Sequence, residues 1–495
     1  MISTLVFYFL SAAFIYITLY YISELRDFYI LRMPPGPISL PFIGNLLNLD
    51  NKFMHLSLVQ LAKKHGKIFT IKFGTDRVVI LNDTAQVKQA YNGPHLTSRP
   101  KVFSIDFFLN KCFMTCSDRD EFRTHARLMK NTFRVISDIN LNAKITEEAE
   151  DLIRQFESYK NKPFNPRKDC HLASLNILYN LAFGQRYHRD DSELEEILSY
   201  SSDIIKGISP AHPVNLLPWL QKIPNKWLNA LSKARDRRDH LLMKKYHEHD
   251  STYKEGVIRD MLDVLLKEAH DARAQGDHDL LRLLTPEHIV INIWTIFFAG
   301  MDTVLTALLW LLLYMAAFPD VQLKIQKEMD HILGDAKPTI MDEKKLPLLT
   351  ATVYETLRYS SLSLLGVPHA ATQDTTIGGF HIPKDTQVMA NFWTINHDET
   401  VWHKPDTFSP ERFLDTDGNM RNLTEFPHFM PFSTGRRACL GKNIGKSEIF
   451  LLAAFILQKF HIELPENTQP NLDADVHFDL VPKAFELVVN KRQQL

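Results

Sequence analysis

The sequence predicts a mainly α-helical fold with smaller β-sheets, preceded by an N-terminal transmembrane helix. Three observations carry this prediction: a charge-free apolar run at the N-terminus, long stretches of helical periodicity, and a short β-rich pair of segments. The 495 residues are 45% hydrophobic and 23% charged, which is ordinary globular composition. The formal net charge of -1 provides no broad attraction for phosphates, so we expect no nucleic-acid partner.

The N-terminal run extends from Met1 to Ser23 without a charged side chain. This length meets the roughly 20 residues that a helix needs to cross a bilayer. A cleaved signal peptide is the alternative, but bulky tyrosines stand where small residues would mark a cleavage site. Positive charges at Arg26 and Arg32 follow the run, so we expect a single-pass signal anchor over residues 1–23 with the rest of the chain in the cytosol.

The remainder of the chain is expected to form one large domain over residues 38–495. A proline-rich linker over residues 24–37 connects it to the anchor, and the prolines of Met33–Pro37 make this linker a semi-rigid spacer. The β-rich runs Lys67–Phe73 and Arg77–Asn82 predict a hairpin.

A long apolar helix is predicted from Thr285 to Phe318. Thr285-Pro286-Glu287 is typical of a helix start, with a capping hydroxyl, a proline in the first turn and an acid at the positive end of the dipole. A second membrane span is the alternative, but Asp302 lies within the run, and a carboxylate in lipid costs roughly 2.5–3.5 kcal/mol or more. We therefore expect a buried helix in a large core. Residues 231–275 are instead dense in charge and are interpreted as a solvated helical face.

Four separated motifs follow one another along the chain. The last is Phe432-x-x-Gly435-x-Arg437-x-Cys439-x-Gly441, ahead of an apolar-periodic helix. A cysteine at a helix N-terminus lies near free backbone N–H groups, which favour thiolate over thiol. Alone, a cysteine in an apolar context is usually an inert packing residue. The other motifs are Ala299-Gly300-Met301-Asp302-Thr303, Glu355-x-x-Arg358 and Phe408-Ser409-Pro410-Glu411-Arg412-Phe413.

Together these motifs resemble those of the cytochrome P-450 monooxygenases, and the resemblance covers essentially the whole chain. It implies the cytochrome P-450 fold, haem b as cofactor and Cys439 as the axial thiolate on the iron. Thiolate ligation favours O–O cleavage. The fixed positions of the family's haem-binding loop are matched by Phe432, Gly435, Arg437, Cys439 and Gly441, and Arg437 is expected to pair with a haem propionate.

The resemblance assigns catalytic roles to the motif in the long helix. Gly300 is expected to let the backbone approach the haem, while Asp302 and Thr303 organise the waters that deliver protons to bound dioxygen. The alternatives are a helix-packing glycine and a threonine that bonds to its own preceding turn.

The remaining matches are structural or contact the haem propionates. Glu355, Arg358 and Arg412 are expected to form a buried charged network, although a lone Glu/Arg pair is usually a surface ion pair of little worth. His369, in Pro368-His369, resembles the family's propionate-contacting imidazole, and Arg99 is a weaker match to a further propionate contact.

One position departs from the family pattern. The family often has a tryptophan four residues ahead of an arginine on the helix over the proximal haem face, where Phe122 and Ala126 stand here. Arg123 or Arg127 is the candidate replacement. A basic face for an acidic reductase is also expected, with scattered solvated side chains as the alternative; its candidates are Arg123, Arg127, Lys130, Lys442 and Lys446.

The resemblance implies a monooxygenase of the endoplasmic reticulum membrane that inserts one oxygen atom from O2 into a lipophilic substrate. Its electrons would come from NADPH-cytochrome P-450 reductase, with cytochrome b5 as an optional second donor, and membrane lipid would supply the substrate. Asn215–Leu220 resembles steroid 17α-hydroxylase/17,20-lyase, whereas Trp393–Asp398 resembles the aryl-hydrocarbon hydroxylases. The steroid enzyme's polar substrate contact would fall near Ser199 or Ser201, where its asparagine is absent.

A steroid or similar polycyclic lipid is the leading substrate class. The alternatives are xenobiotic, aryl-hydrocarbon or fatty-acid hydroxylation, which the same apolar pocket residues would suit. An electron-independent haem-thiolate isomerase or dehydratase, and a non-catalytic haem or lipid carrier, are further alternatives. The intact Asp302-Thr303 pair argues against the isomerase, since such chemistry needs no proton relay.

Overall fold

In a computed structural model, the described residues are 2–50, 53–109, 111–117, 119–208, 212–216, 218–476 and 479–492. Leu217, within the Asn215–Leu220 segment, lies outside them. The α-helices are α1 (Ile2–Tyr29), α2 (Met54–His65), α3 (Thr84–Asn92), α4 (Phe103–Leu109), α5 (Arg119–Ser158), α6 (Arg167–Phe183), α7 (Ser192–Ile208), α8 (Pro213–Leu216), α9 (Lys226–Thr252), α10 (Met261–Gln275), α11 (His278–Arg282), α12 (Pro286–Ala317), α13 (Pro319–Ile332), α14 (Pro347–Ser360), α15 (Phe392–Asn396) and α16 (Lys442–Lys459).

The strands are short by comparison, so the predicted fold class is confirmed. They are β1 (Ile68–Phe73), β2 (Asp76–Leu81), β3 (His369–Ala370), β4 (Thr375–Ile377), β5 (Phe380–Ile382), β6 (Gln387–Ala390), β7 (Phe460–Glu463), β8 (Ala474–Val476), β9 (Leu480–Pro482) and β10 (Val488–Lys491).

The chain forms two compact units, each built from three segments. The smaller unit comprises Met1–Pro100, Leu364–Ile395 and Ser433–Ala438. The larger unit comprises Lys101–Ser363, Asn396–Phe432 and Cys439–Leu495.

A four-stranded sheet in the order β1-β2-β6-β3 organises the smaller unit. β1 and β2 are the predicted hairpin, antiparallel with Ile68 opposite Leu81. β2 is parallel to β6, which in turn is antiparallel to β3. The side chains of Val78–Leu81 are buried, because β2 is an apolar inner strand of this sheet.

The helix α1 is long and apolar enough to cross a membrane, and its apolar window from Thr4 to Tyr29 is exposed. It continues past the expected anchor boundary at residue 23. Its last two turns carry Glu24 and Asp27, which pair with Lys72 at 2.5 Å and with Arg77 on the β1–β2 hairpin. These ion pairs fix the end of the helix to the sheet of the smaller unit.

The proline-rich segment after α1 is packed along β1. The backbone N–H of Thr70 donates to the Pro35 carbonyl at 2.7 Å. A Cβ on Gly36 would lie 1.9 Å from the Thr70 carbonyl oxygen, so glycine alone allows this approach. The linker predicted over residues 24–37 thus contacts β1 through the Pro35 carbonyl and through the close approach of Gly36.

The larger unit is built around α12. The Thr285 hydroxyl caps the helix and Pro286 is its first residue, as the sequence predicts. The helix is mostly buried and packs against α6, α9, α14 and α16, so the expectation of a core helix is confirmed.

The charged stretch over residues 231–275 is not solvated throughout, because several of its charged side chains are buried: those of Arg238, Lys245, Asp260 and Asp263. Arg238 on α9 is 1% exposed, its guanidinium donates to the Phe108 carbonyl at 2.6 Å, and it lies 4.5 Å from the Trp294 ring. The planar cation is stabilised by an aromatic face and a carbonyl, which charge density alone does not reveal. Lys233 and Asp236 on the same helix are exposed, as predicted.

Candidate active site

Cys439 lies three residues before α16, in a loop closed by its own backbone. Its N–H donates to the Phe432 carbonyl at 3.0 Å. The backbone N–H groups of Gly441 and Lys442 lower the pKa of the thiol, as expected for a helix N-terminus, but packing around the sulfur raises this pKa more. The residue keeps an exposed surface.

The donor set around Cys439 fits a haem iron. Among residues 2–50, 53–109, 111–117, 119–208, 212–216, 218–476 and 479–492, no cluster of three or more His, Cys, Asp or Glu side chains forms a metal site. A porphyrin supplies the four equatorial nitrogens itself, so a single axial protein ligand suffices. Coordination to a metal ion deprotonates a thiol outright.

Arg99, His369 and Arg437 lie together in the smaller unit. Arg99 donates to the Pro368 carbonyl at 2.7 Å, and Arg437 donates to the Thr97 carbonyl at 2.8 Å. His369 bonds through Nδ1 to the Leu96 carbonyl at 2.7 Å. All three side chains are buried.

The imidazole of His369 is held neutral. Burial lowers its pKa well below the ordinary value, and the charges of Arg99 and Arg437 lower it further. Its ring stacks on Tyr91 with centroids 3.8 Å apart. In this cluster the two guanidinium groups therefore provide the positive charge, and His369 offers a ring N–H.

Gly435 occupies a position that no other residue fits. Its φ is +79°, and a Cβ there would lie 2.1 Å from the Tyr91 carbonyl oxygen. The conformation and the close approach both require glycine. Gly441, in contrast, has φ of -82°, so its backbone does not demand glycine.

On α12, Thr303 bonds to its own preceding turn and Gly300 packs against another helix, which are the two alternatives to their catalytic roles. The Thr303 hydroxyl donates to the Ala299 carbonyl at 2.8 Å, one turn back in the same helix. A Cβ on Gly300 would lie 3.0 Å from a methyl group of Leu178, so glycine here allows close packing of α12 on α6. The backbone approach to haem expected of Gly300 does not follow from this contact.

Asp302 is half-buried on the same turn. Burial raises the pKa of its carboxyl, and the charge of Arg167 lowers it. A carboxyl with a raised pKa holds its proton more readily than a free one, which suits a proton donor in a relay.

Glu355, Arg358 and Arg412 meet in one buried network. Arg358 donates from Nε and Nη2 to the two Glu355 oxygens, both at 2.8 Å, and neither residue is exposed. Arg412 Nε donates to the same carboxylate at 3.0 Å. Arg358 also donates to the carbonyls of Asn396 and Pro405, so the network joins α14 to the last residue of α15 and to the segment that follows it.

The positions that depart from the family pattern lie on α5. Ala126 is buried and Phe122 half-buried, whereas Arg123 and Arg127 are exposed. Arg123 is paired with Asp120 at 3.3 Å.

The predicted basic residues divide into two groups. Lys446 is half-buried, paired with Glu343 at 2.5 Å and bonded to the Tyr354 hydroxyl. It therefore belongs to the interior of the larger unit. The second group is the other four predicted basic residues, which are exposed: Arg123, Arg127, Lys130 and Lys442.

The two serines considered for a polar substrate contact differ in their surroundings. Ser199 is exposed and accepts a hydrogen bond from Arg237 at 3.2 Å. Ser201 is 1% exposed, and its hydroxyl has no hydrogen-bond partner within the described part of the chain.

Glu448 is a buried acid that sequence reasoning missed. It lies on α16, accepts a hydrogen bond from the Ser174 hydroxyl at 2.9 Å, and burial raises its pKa to about 8. A glutamate followed by Ile449 and Phe450 in an apolar-periodic helix was the available signal.

Glu448→Gln should remove a pH-dependent loss of stability. The unfolded carboxyl ionises near pH 4.5 and the folded one near pH 8, so between these values the folded protein holds a proton that the unfolded chain has released. The free energy of unfolding contributed by this group therefore falls as pH rises through that window, by on the order of 3–5 kcal/mol in total. We expect the variant to gain on the parent progressively from pH 5 to 8.5 in chemical unfolding.

Glu466→Gln, at an exposed position, is the matched control and should follow the parent at every pH. Parallel pH profiles of parent and Glu448→Gln would contradict the prediction.

Comparison with known proteins identifies relatives over nearly the whole chain. A family model described as Cytochrome P450 matches residues 34–489. The steroid 17-alpha-hydroxylase/17,20 lyase of Ictalurus punctatus is 32% identical over 470 residues, covering 93% of this chain and 91% of that protein. The protein of the same name from Rana dybowskii is 32% identical over 477 residues, covering 94% and 91%. Cytochrome P450 1A1 of Rattus norvegicus is 34% identical over 451 residues, covering 88% and 85%.

Proposed function

The chain belongs to the cytochrome P450 family, and from that premise we propose that it oxygenates a steroid or similar polycyclic lipid. It is a monooxygenase of the haem-thiolate class, and haem b is its cofactor. The observation that carries the assignment of the ligand is the position of Cys439, a single thiol ahead of α16 with its N–H bonded to the Phe432 carbonyl. When bound, the haem supplies the chemistry of dioxygen activation.

The other residues have supporting roles in this proposal. Cys439 holds the iron, Phe432 and Gly441 shape the loop on either side of it, and Gly435 permits the close turn within it. Arg99 and Arg437 present positive charge for propionates, and neutral His369 adds a hydrogen bond.

Asp302 and Thr303 move protons in this proposal. The raised pKa of Asp302 supports exchange with water. The Thr303 hydroxyl donates its hydrogen bond to the Ala299 carbonyl. Its oxygen lone pairs can therefore accept a hydrogen bond from a water. In this arrangement Thr303 positions the water and Asp302 supplies the proton.

We place the chain in the endoplasmic reticulum membrane with α1 as a single span and the catalytic part in the cytosol. The exposed apolar surface of α1 supports the membrane assignment. The exposed cations Arg123, Arg127, Lys130 and Lys442 support docking of an acidic NADPH-cytochrome P450 reductase. Lys446 is excluded from this face because its ammonium group forms an ion pair with Glu343.

The steroid assignment draws on the relatives named steroid 17-alpha-hydroxylase/17,20 lyase and on the buried, unbonded hydroxyl of Ser201. The alternative substrate class, an aromatic hydrocarbon, draws on the relative named cytochrome P450 1A1. The deciding experiment is reconstitution of the full chain with reductase and phospholipid vesicles, challenged with steroids, polycyclic arenes and fatty acids. Hydroxylated steroids as the main products would support the proposal, and products from arenes or fatty acids alone would overturn the steroid assignment.

The same reconstituted system tests the role of Thr303 in proton delivery and the role of Lys442 in reductase docking. Thr303→Ala should divert electrons into hydrogen peroxide, and unchanged coupling of NADPH use to product would remove Thr303 from the relay. Lys442→Glu should raise the reductase concentration needed for half-maximal rate, whereas Lys459→Glu, at the other end of α16, should not. Equal effects of both variants would contradict the docking face.

A further inference from the structure

The last two turns of α1 carry acids where a helix by itself disfavours them. Glu24 and Asp27 lie near the C-terminal end of α1, where the helix dipole is negative and repels anions. Asp27 is 5% exposed and Glu24 is half-buried, so water offsets this repulsion only in part. Acids in this position need cations from outside the helix.

The β1–β2 hairpin supplies those cations. Lys72 pairs with Glu24 at 2.5 Å. Arg77 pairs with Asp27 and also lies 3.5 Å from Glu24, which joins the two pairs into one network. The side chains of Lys72 and Arg77 are 12% and 27% exposed, so solvent screens this network less than it screens an exposed surface pair.

A second contact lies three turns closer to the N-terminal end of α1. The Tyr20 and Ser39 hydroxyl oxygens are 2.6 Å apart. The Tyr16 ring stacks on Phe42 with centroids 5.3 Å apart. Tyr16 and Asp27 are separated by about 16 Å of helix. A helix held at one point can swing about it, whereas contacts at both ends of such a length define its direction.

The segment that makes the second contact is itself tied to the sheet. Gly44 forms an antiparallel bridge with Phe73 at the end of β1. The Asn45 N–H donates to the Lys72 carbonyl at 2.8 Å, and the Lys72 N–H donates to Asn45 Oδ1 at 2.8 Å. Contacts of α1 with this segment therefore hold α1 against the sheet.

We propose that these contacts form an ionic clamp that makes α1 and the sheet of the smaller unit one rigid body. The tilt of α1 in the bilayer then sets the tilt of the sheet, so the anchor orients this unit as well as tethering it. The inference rests on the proposed placement of α1 in the membrane. It makes no use of the haem or of the substrate.

The test measures the direction of α1 relative to the sheet in a bilayer. The haem-loaded full chain is inserted into phosphatidylcholine nanodiscs with nitroxide amino acids at two exposed positions, Leu10 on α1 and Gln89 on α3. Pulsed electron paramagnetic resonance gives the distribution of distances between them. We expect one narrow distance. A broad distribution in the parent would overturn the inference, since a flexible tether lets α1 adopt many directions.

Charge reversal then assigns the rigidity to the ion pairs. Lys72→Glu combined with Arg77→Glu should abolish the narrow distance, because like charges replace both pairs. Adding Glu24→Lys and Asp27→Lys should restore it, because the pairs form again with their signs exchanged. A narrow distance retained in the hairpin double variant, or a broad distribution in the fourfold variant, would contradict the clamp.

Lys67→Glu is the matched control. Lys67 also forms an ion pair at 2.5 Å in the smaller unit, but its side chain is 68% exposed and its partner Asp83 lies outside α1. This variant should keep the narrow distance. The carbon monoxide spectrum, recorded for every variant, identifies those that fold. If the hairpin double variant does not fold, Lys72→Gln alone decides, and it should broaden the distribution.

The membrane placement and the clamp fail in different ways. A parent chain that does not float with phospholipid vesicles in a density gradient would defeat the membrane placement. A parent chain that floats but gives a broad distribution of distances would defeat only the clamp.

Discussion

Cys439→Ala should abolish the red-shifted Soret band of the reduced, carbon monoxide-bound protein and reduce monooxygenase turnover to background. The reason is the donor set: Cys439 is the one cysteine of the family's haem-binding loop, and no cluster of metal-binding side chains among the described residues offers a replacement. Removing an axial thiolate removes both the bond to iron and the electron density that favours O–O cleavage. The measurement is the carbon monoxide difference spectrum.

Cys116→Ala is the matched control, because this half-exposed cysteine lies outside all four motifs. It should leave the spectrum and the turnover unchanged. A thiolate spectrum that persists in Cys439→Ala would contradict the ligand assignment, and one lost only in the control would transfer the role to Cys116.

Glu355→Ala should destabilise the folded protein by about 3–5 kcal/mol, the usual cost of removing one partner of a buried ion pair. The carboxylate is the shared acceptor of two guanidinium groups, and Arg358 has no exposed surface. Without Glu355, a buried cation would be left with carbonyl oxygens alone. The free energy of unfolding in denaturant is the quantity to measure.

A surface ion pair supplies the control for this prediction. Glu411 pairs with Lys324 at 2.8 Å, and both side chains are about half exposed. Glu411→Gln should therefore change the free energy of unfolding by less than about 1 kcal/mol. Similar losses of unfolding free energy in the two variants would show that burial does not account for the contribution of the Glu355 network to stability.

Local signals in the sequence were sufficient to locate α12 and the β1–β2 hairpin. The capping hydroxyl of Thr285 and the proline after it locate the start of α12, and the β-rich run from Lys67 locates β1. The burial and contacts of individual side chains could not be predicted in the same way, because they depend on residues that are distant in the sequence. Arg238 reads as one more surface cation until the Trp294 ring is placed beneath it.

The candidate site shows the same division. The resemblance brings Glu355 and Arg412 together across more than fifty residues, which no periodicity could do. It also attributes Gly300 to the haem, although the space beside that glycine is filled by Leu178.

The order of strands in the smaller unit has a consequence for synthesis on the ribosome. β2 pairs with β1 at once, but its other edge waits for β6, which is made about 300 residues later. At roughly 5–20 residues per second, that edge stays unpaired for about 15–60 s. An unpaired apolar strand edge is a template for aggregation. Slower translation between β2 and β6 therefore lengthens the time during which the nascent chain can aggregate, and it raises the demand for chaperones. The yield of folded protein is therefore sensitive to the rate of synthesis as well as to stability.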